Sequence, residues 1–546
     1  MSRTTRRPTR IAALTVLSIL ALHRPAWAQN TEVLPVESTY IALSLLVMLL
    51  VLTILMALIL GDRILALARV QFFGDGDAYS SEFRLAPTFT GGEKKQRVHA
   101  LSKGFEIKLR GAATRRYDKE FSSATYAVRP TDYRGLQPIP KMLVSEGDEV
   151  KAGDPLFHDR KRDEFMFTAP VSGEVVEIRR GAKRAITEVV ILADQNTSFK
   201  DLGTLDPTTA SRDDLVEHMK ASGVWGNFVQ RPFGNVADTD VVPRDIFIST
   251  FDTAPLAADM QFVFDDVDPA DWQAGIDALA ALTDGSVHLG VDASRDTHPL
   301  IAATTGAEKH LFKGKHPAGN VGVQIHHVAP IAKGDIVWTL RPEDVVTLGK
   351  TLAKGIYDPI QYVAVAGVPL RDTFYIKTRT GANIKAAIEG NLTDENVRIV
   401  SGNVLTGAAI EPDGHLTGSA NCLTVLEEGD FHEAFGWLVP SYARPSLSPT
   451  FPWSLIPFAD FEANTNTHGE RRAFVVTGQY EAVTPMDIYP QHLLKAIISN
   501  DFEKIEGLGI YEVLEEDLAL CEFVCTSKQP VQAILREGLD YIESQS

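Results

Sequence analysis

Cysteine is nearly absent from this 546-residue chain, which has only Cys422, Cys521 and Cys525. Three thiols are too few for a disulfide framework and suit a reducing compartment. Positive charge is also in deficit, with 53 Lys and Arg against 71 Asp and Glu and a formal charge of −18. No long basic run offsets that deficit, which argues against nucleic acid as a partner. No Gly-x-Gly-x-x-Gly joins a strand pattern to a helix pattern, and no Gly-x-x-x-x-Gly-Lys-Ser/Thr occurs. A dinucleotide or nucleoside triphosphate therefore lacks its usual phosphate cradle. At 45% hydrophobic and 23% charged, the chain has enough apolar material for several packed domains, about three or four by length.

Long apolar runs are scarce too, apart from the amino-terminal region. Residues 41–60, IALSLLVMLLVLTILMALIL, contain no charge, Pro or Gly. As a helix they are long enough to cross a hydrocarbon core of roughly 30 Å, so a transmembrane helix is expected there. Glu32 and Glu37 precede this run, and Arg63 and Arg69 follow it, which puts the carboxyl side in the cytoplasm. Further upstream, Arg3, Arg6, Arg7 and Arg10 lead into an apolar stretch and then Ala26-Trp27-Ala28. Residues 1–28 thus read as a signal peptide or, if uncleaved, as the first arm of a helical hairpin. Residues 61–97, rich in Gly, Ser, Asp and Lys, read as a tether.

The body reads as an α+β multidomain protein. Residues 98–200 are β-rich and repeat a strand, Gly-Asp turn, strand unit, first around Gly147-Asp148 and Gly153-Asp154, then through Thr168-Ala169-Pro170-Val171-Ser172-Gly173. This pattern resembles the barrel-sandwich hybrid of biotinyl and lipoyl domains. Such domains carry their cofactor on a hairpin-tip lysine, the position of Lys161. Its neighbours, Asp159-Arg160-Lys161-Arg162-Asp163, depart from the carrier pattern and argue against covalent attachment.

Residues 201–355 alternate strand and helix patterns and read as an α/β, Rossmann-like domain. A strand at Asp245-Ile246-Phe247-Ile248-Ser249 precedes a helix over 270–282, and a second strand follows at 286–291. His326 and His327 read as neighbours on a strand, pointing to opposite faces, which argues against their sharing a metal ion. Residues 356–488 spell out a β-grasp-like unit that resembles the soluble-ligand-binding SLBB modules. Residues 489–546 read as helical, with Leu493, Leu494, Ile497 and Ile498 on one face. Cys521 and Cys525, four apart, suit one helical face as buried structural residues.

Several strings occur in an order that resembles the A subunit of the sodium-translocating NADH:quinone reductase. They include Gly104-Phe105-Glu106-Ile107, Arg231-Pro232-Phe233, His316-Pro317-Ala318-Gly319, Phe435-Gly436-Trp437 and Glu515-Glu516-Asp517-Leu518-Ala519-Leu520-Cys521. The resemblance implies a respiratory pump of the bacterial inner membrane that oxidises NADH, reduces ubiquinone or menaquinone and exports Na+. FAD, FMN, riboflavin and the 2Fe-2S centre are implied in other subunits, with no metal or cofactor on this chain. In keeping with that, neither a Ser-Gly-Ala-Thr flavin site nor a Cys-x-x-Cys-x-x-Cys motif is present. The implied partners are the other subunits, above all the one that carries quinone and flavin in the membrane, together with the quinone and the membrane itself. The resemblance also points to quinone-proximal candidates in two segments, Tyr133 and Arg134 in one and Phe228, Arg231 and Phe233 in the other. An anchored ligand-binding or carrier module outside the pump is the alternative.

Overall fold

The computed structural model describes residues 46–50, 97–432, 447, 460–475 and 478–545. The chain divides into two compact units, Met1–Lys94 and Lys95–Ser546. In the first, residues 46–50 are helical and their side chains are exposed. The remainder of the expected transmembrane helix, the signal segment and nearly all of the tether lie outside the described residues. Among the described residues, no helix is long and apolar enough to cross a membrane. Phe435-Gly436-Trp437 likewise lies outside them.

The second unit begins differently from expectation. Val98–Ala100 does not open the barrel; it pairs in parallel with residues 311–313 at the edge of a seven-stranded sheet. The barrel follows as two antiparallel sheets. One orders Thr125–Val128, Ile186–Ala193, Gly173–Arg180 and Glu149–Val150, and the other Lys141–Met142, Pro155–His158 and Met166–Thr168. Asp148 and Asp154 fix the two turns by accepting the backbone N–H of Ser145 (2.7 Å) and Lys151 (2.8 Å). Gly173 is required by close approach, since a Cβ there would lie 1.9 Å from the Leu192 carbonyl oxygen. A bulge between Val175 and Glu177 breaks the two-residue alternation of a regular strand and turns both Val176 and Glu177 outward.

The seven-stranded sheet orders Val98–Ala100, Glu308–Lys313, Val287–Asp292, Asp245–Ser249, Val337–Thr339, Val229–Arg231 and Asn235–Val236. Its first five strands are parallel and the last two antiparallel. Helix Pro269–Leu282 is started by the Asp268 carboxylate, which accepts from the Ala270 N–H, with Pro at the first helical position. It crosses Pro342–Lys354 through Gly275 and Gly349, where a Cβ would fall 2.2 Å and 1.8 Å from the partner helix's backbone oxygens. The β-grasp sheet orders Phe374–Arg379, Ile360–Ala366, Cys422–Glu427, Val397–Ser401 and Ala408–Ile410, beside the short helix Lys385–Ile388.

These three parts share one continuous apolar core. The carboxyl-terminal helices Pro490–Ile498, Phe502–Gly507, Glu515–Val524 and Val531–Gln545 build a second core around Leu493, Leu518, Leu535 and Leu539. Ile498, expected on the buried face of its helix, is exposed. The second core also takes in Ile107, so the irregular segment ahead of the barrel serves the helical region.

Candidate functional site

The Arg231 hairpin closes the antiparallel edge of the seven-stranded sheet. Strand Val229–Arg231 turns through Pro232, Phe233 and Gly234 and returns as Asn235–Val236. Phe233 and Gly234 both have positive φ, 80° and 78°. Glycine tolerates this freely, whereas for Phe it costs about 1–3 kcal/mol and requires support from the surroundings. That support comes from helices Glu515–Val524 and Val531–Gln545.

Arg231 is 1% exposed, and its Nη1 donates to Asp517 Oδ2 at 2.9 Å while Nη2 donates to Glu516 Oε1 at 2.6 Å. Asp517 also accepts the Leu514 N–H at 3.0 Å, so one carboxylate starts its own helix and neutralises the buried guanidinium. Burial opposes the charge on Arg231, but the carboxylates of Asp517 and Glu516 outweigh it and raise its pKa above the ordinary arginine value. Helix Val321–Val328 passes this pair at Gly322. A Cβ there would lie 2.2 Å from Asp517 Oδ2 and 2.6 Å from Arg231 Nη1.

A second, more exposed layer surrounds the pair. Arg536 grips Glu515 with two donors, Nε and Nη2, each at 2.6 Å, and its Nη1 donates to the Phe233 carbonyl at 2.9 Å. Burial pushes the Glu515 carboxyl upward, but Arg536 and then Arg134 outweigh it and hold the pKa below the ordinary glutamate value. Arg134 reaches the same Glu515 at 3.3 Å and Asp540 at 3.6 Å, and its side chain remains 40% exposed. Phe233 is half-buried, edge-on to Tyr511 with ring centroids 6.4 Å apart.

Of the five sequence candidates, the structure gathers Arg134, Arg231 and Phe233 at this junction. Phe228 is fully buried, stacked on Trp225 at 4.9 Å and edge-on to Trp338 at 5.7 Å. Tyr133 packs against Phe167 at 4.5 Å and lines a cleft with Asp132, Thr168 and Tyr357. Burial raises the Tyr133 phenol well above its usual pKa. That cleft leaves room for about one water. A larger cleft, with room for a few waters and open to solvent, lies at the carboxyl ends of Asp245–Ser249 and Val287–Asp292, lined by Asp252, Asp259, Asp292 and Arg295. Arg536 and Gly322 escaped sequence reading, because an acidic triplet at a helix start already suits the helix dipole and gives no sign of the cations that meet it.

The structure also places three other groups of residues singled out in the sequence. His326 and His327 lie on helix Val321–Val328 rather than on a strand, because residues 322–325 are all buried and give no two-residue alternation. His326 accepts the Asp487 N–H at Nε2 (2.9 Å) and lies 2.6 Å from Glu512 through Nδ1; His327 Nε2 donates to the Pro485 carbonyl at 2.7 Å. Lys161 is exposed at the barrel hairpin, whose tip is tied by Arg162 to the buried Asp159 at 3.1 Å. Cys521 and Cys525 are buried against Thr484 and Tyr480, and burial pushes the Cys521 thiol up to about 12.

A barrel-sandwich unit, an α/β unit and a β-grasp unit, followed by an ion-paired helical tail, match three family models in chain order. These describe the NqrA N-terminal barrel-sandwich hybrid domain (residues 99–194), the NqrA second alpha/beta domain (210–357) and the NQRA C-terminal domain (362–411). The chain is 37% identical over 454 residues to a protein of Rhodopirellula baltica described as the A subunit of the Na(+)-translocating NADH-quinone reductase, covering 82% of this chain and 98% of that one. Proteins of the same description from Alcanivorax borkumensis and Yersinia pestis are 36% and 34% identical, each covering 82% of this chain and 99% of theirs. The chain belongs to the NqrA family, the A subunit of the Na+-translocating NADH-quinone reductase.

Proposed function

We propose that the chain serves as the A subunit of a Na+-translocating NADH:quinone oxidoreductase and forms a platform that docks on the quinone- and flavin-bearing membrane part of that complex. The observation that carries this reading is the match to nearly the whole length of proteins so described, at 37% identity over 98% of one of them. In this reading the redox centres, FAD, FMN, riboflavin and 2Fe-2S, belong to the other subunits, and ubiquinone or menaquinone is the substrate. Residues 41–60 anchor the chain in the bacterial inner membrane, alone or as a hairpin with the upstream segment, with the body on the cytoplasmic side. The apolar run and the Arg63 and Arg69 flank support this arrangement. The body then divides at 98–200, 201–355, 356–488 and 489–546.

The quinone site lies against the Arg231 hairpin in this proposal, and the membrane part of the complex supplies the opposing wall. Among the five candidates, Arg134 and Phe233 suit contact with the quinone because they retain exposed surface. Arg134 would stabilise negative charge developing on a quinone oxygen, and Phe233 would pack the ring. Arg231, Phe228 and Tyr133 hold that wall in shape. The test is quinone kinetics in the intact complex. Arg134→Ala and Phe233→Ala should each raise the quinone KM by about tenfold, equivalent to about 1.4 kcal/mol, while NADH oxidation by an artificial acceptor stays unchanged. An unaltered quinone KM in both variants would remove direct contact and leave a docking role alone.

A further inference from the structure

Two histidines and a glutamate at the amino-terminal end of the parallel sheet fall outside the proposed quinone wall. Strands Val287–Asp292 and Glu308–Lys313 pair in parallel, with His288 opposite Glu308 and Gly290 opposite His310. Side chains two apart on a strand share a face, so this register places His288, Glu308 and His310 together. Asp245 and Phe247 join them, since Phe247 lies opposite His288 on the neighbouring strand and stacks on its ring at 4.4 Å.

The ligand atoms converge. His288 Nδ1 lies 2.9 Å from His310 Nε2 and 3.9 Å from Glu308 Oε2, and His310 Nε2 lies 3.9 Å from the same oxygen. Tetrahedral bonds of about 2.0–2.2 Å separate neighbouring ligand atoms by about 3.3–3.6 Å, so side-chain rotations of roughly half an ångström would place all three on one ion. Two of the three ligands are also aimed from behind. His288 Nε2 faces Asp245 Oδ1 at 3.4 Å, and the Ser286 hydroxyl donates to Glu308 Oε1 at 2.9 Å. An N–H directed from Nε2 to Asp245 leaves the Nδ1 lone pair of His288 pointing at the other two ligands. Without an ion, that lone pair accepts the His310 Nε2–H, and a metal would take the place of this proton while His310 shifts its own proton to Nδ1. Asp245 is itself held, accepting from Arg244 Nε at 2.8 Å and the Ser286 N–H at 3.3 Å.

We propose that His288, Glu308 and His310 form a site for a single divalent first-row transition-metal ion, with Zn2+ favoured by two imidazoles and one carboxylate. The ion cross-links two neighbouring strands. Because Glu308 is exposed, the fourth coordination position opens to solvent and takes a water or a ligand from outside the chain.

The test uses the full-length chain, purified in detergent without a polyhistidine tag and stripped with chelator. Zn2+ is titrated in competition with a chromophoric chelator, and Co2+ is followed by its visible ligand-field bands. One equivalent of each metal should bind. His288→Ala and His310→Ala should abolish the site, and Asp245→Asn should weaken it by about 10- to 100-fold. Glu308→Gln changes an exposed side chain, so it keeps the fold while altering the Co2+ spectrum and weakening Zn2+ binding. His432→Ala, remote in sequence and exposed, should bind as the parent does. Absence of a stoichiometric Zn2+ or Co2+ complex would overturn the proposal. So would binding left undiminished by Glu308→Gln and His310→Ala in protein of parental circular dichroism.

Discussion

Arg231→Met isolates the ion pair that joins the sheet-edge hairpin to the carboxyl-terminal helices. Met keeps much of the side-chain volume but leaves the Asp517 carboxylate, 0% exposed, without its cation. Breaking one side of a buried pair costs about 3–5 kcal/mol, because the remaining charge stays desolvated. Glu516 contributes little to this figure, since its side chain is 46% exposed and can turn to water. The double variant Arg231→Met/Asp517→Leu removes both charges and retains only the loss of the Leu514 N–H acceptor, about 1 kcal/mol. The double change should therefore be less harmful than the single one. Amide hydrogen exchange across Glu515–Val524 reads the effect locally, which suits a chain whose carboxyl-terminal helices have an apolar core of their own. Exchange there should accelerate by roughly two to three and a half decades in Arg231→Met and by about fivefold in the double variant. An acceleration below about fivefold in Arg231→Met would refute the reasoning, as would a double variant worse than the single one.

Gly322→Ala should push the same pair apart through its added Cβ and lower stability by about 1–3 kcal/mol, read as an earlier urea midpoint. Glu515, whose pKa is depressed by Arg536 and Arg134 against burial, adds stability that is fully present above its unfolded value of 4.5 and is lost as pH falls through the lower folded value. Glu515→Gln should therefore flatten the acid limb of the melting-temperature profile below pH 4.5 and leave its shape above pH 6 unchanged. Burial pushes both the Cys422 and Cys521 thiols up to about 12, so an alkylating reagent at pH 7.5 should label neither in the native chain and both after denaturation. Mass spectrometry of tryptic peptides checks this, and native labelling of Cys521 would contradict its placement in the helical core.

The sequence made local elements legible where turn chemistry and helix starts carry their own signals. Asp148 and Asp154 cap the barrel turns in which Gly147 and Gly153 stand at positive φ. The Ser211 hydroxyl accepts the Asp214 N–H at the start of helix Arg212–Ser222. Periodicity failed where burial extends around an element or where backbone register shifts. His326 and His327 read as strand neighbours, yet they lie on helix Val321–Val328, which buries Gly322, Val323, Gln324 and Ile325 in succession. The bulge after Val175 could not be read from alternation that it interrupts. Long-range partnership was the least legible. Arg231 and Asp517 lie 286 positions apart, and neither of the motifs that contain them carries a sign that the two meet. The His288, Glu308 and His310 group arises from parallel register, which spacing along the chain does not encode.

Purification of the full chain from its native membrane most directly tests the central claim that this protein is a docked platform without its own redox centre. The account predicts that it co-elutes with flavin-bearing membrane subunits in a fraction whose NADH-driven quinone reduction is stimulated by Na+, and that the chain separated from that fraction retains no flavin. Elution as an isolated monomer without that activity, or a flavin retained by the separated chain, would contradict it.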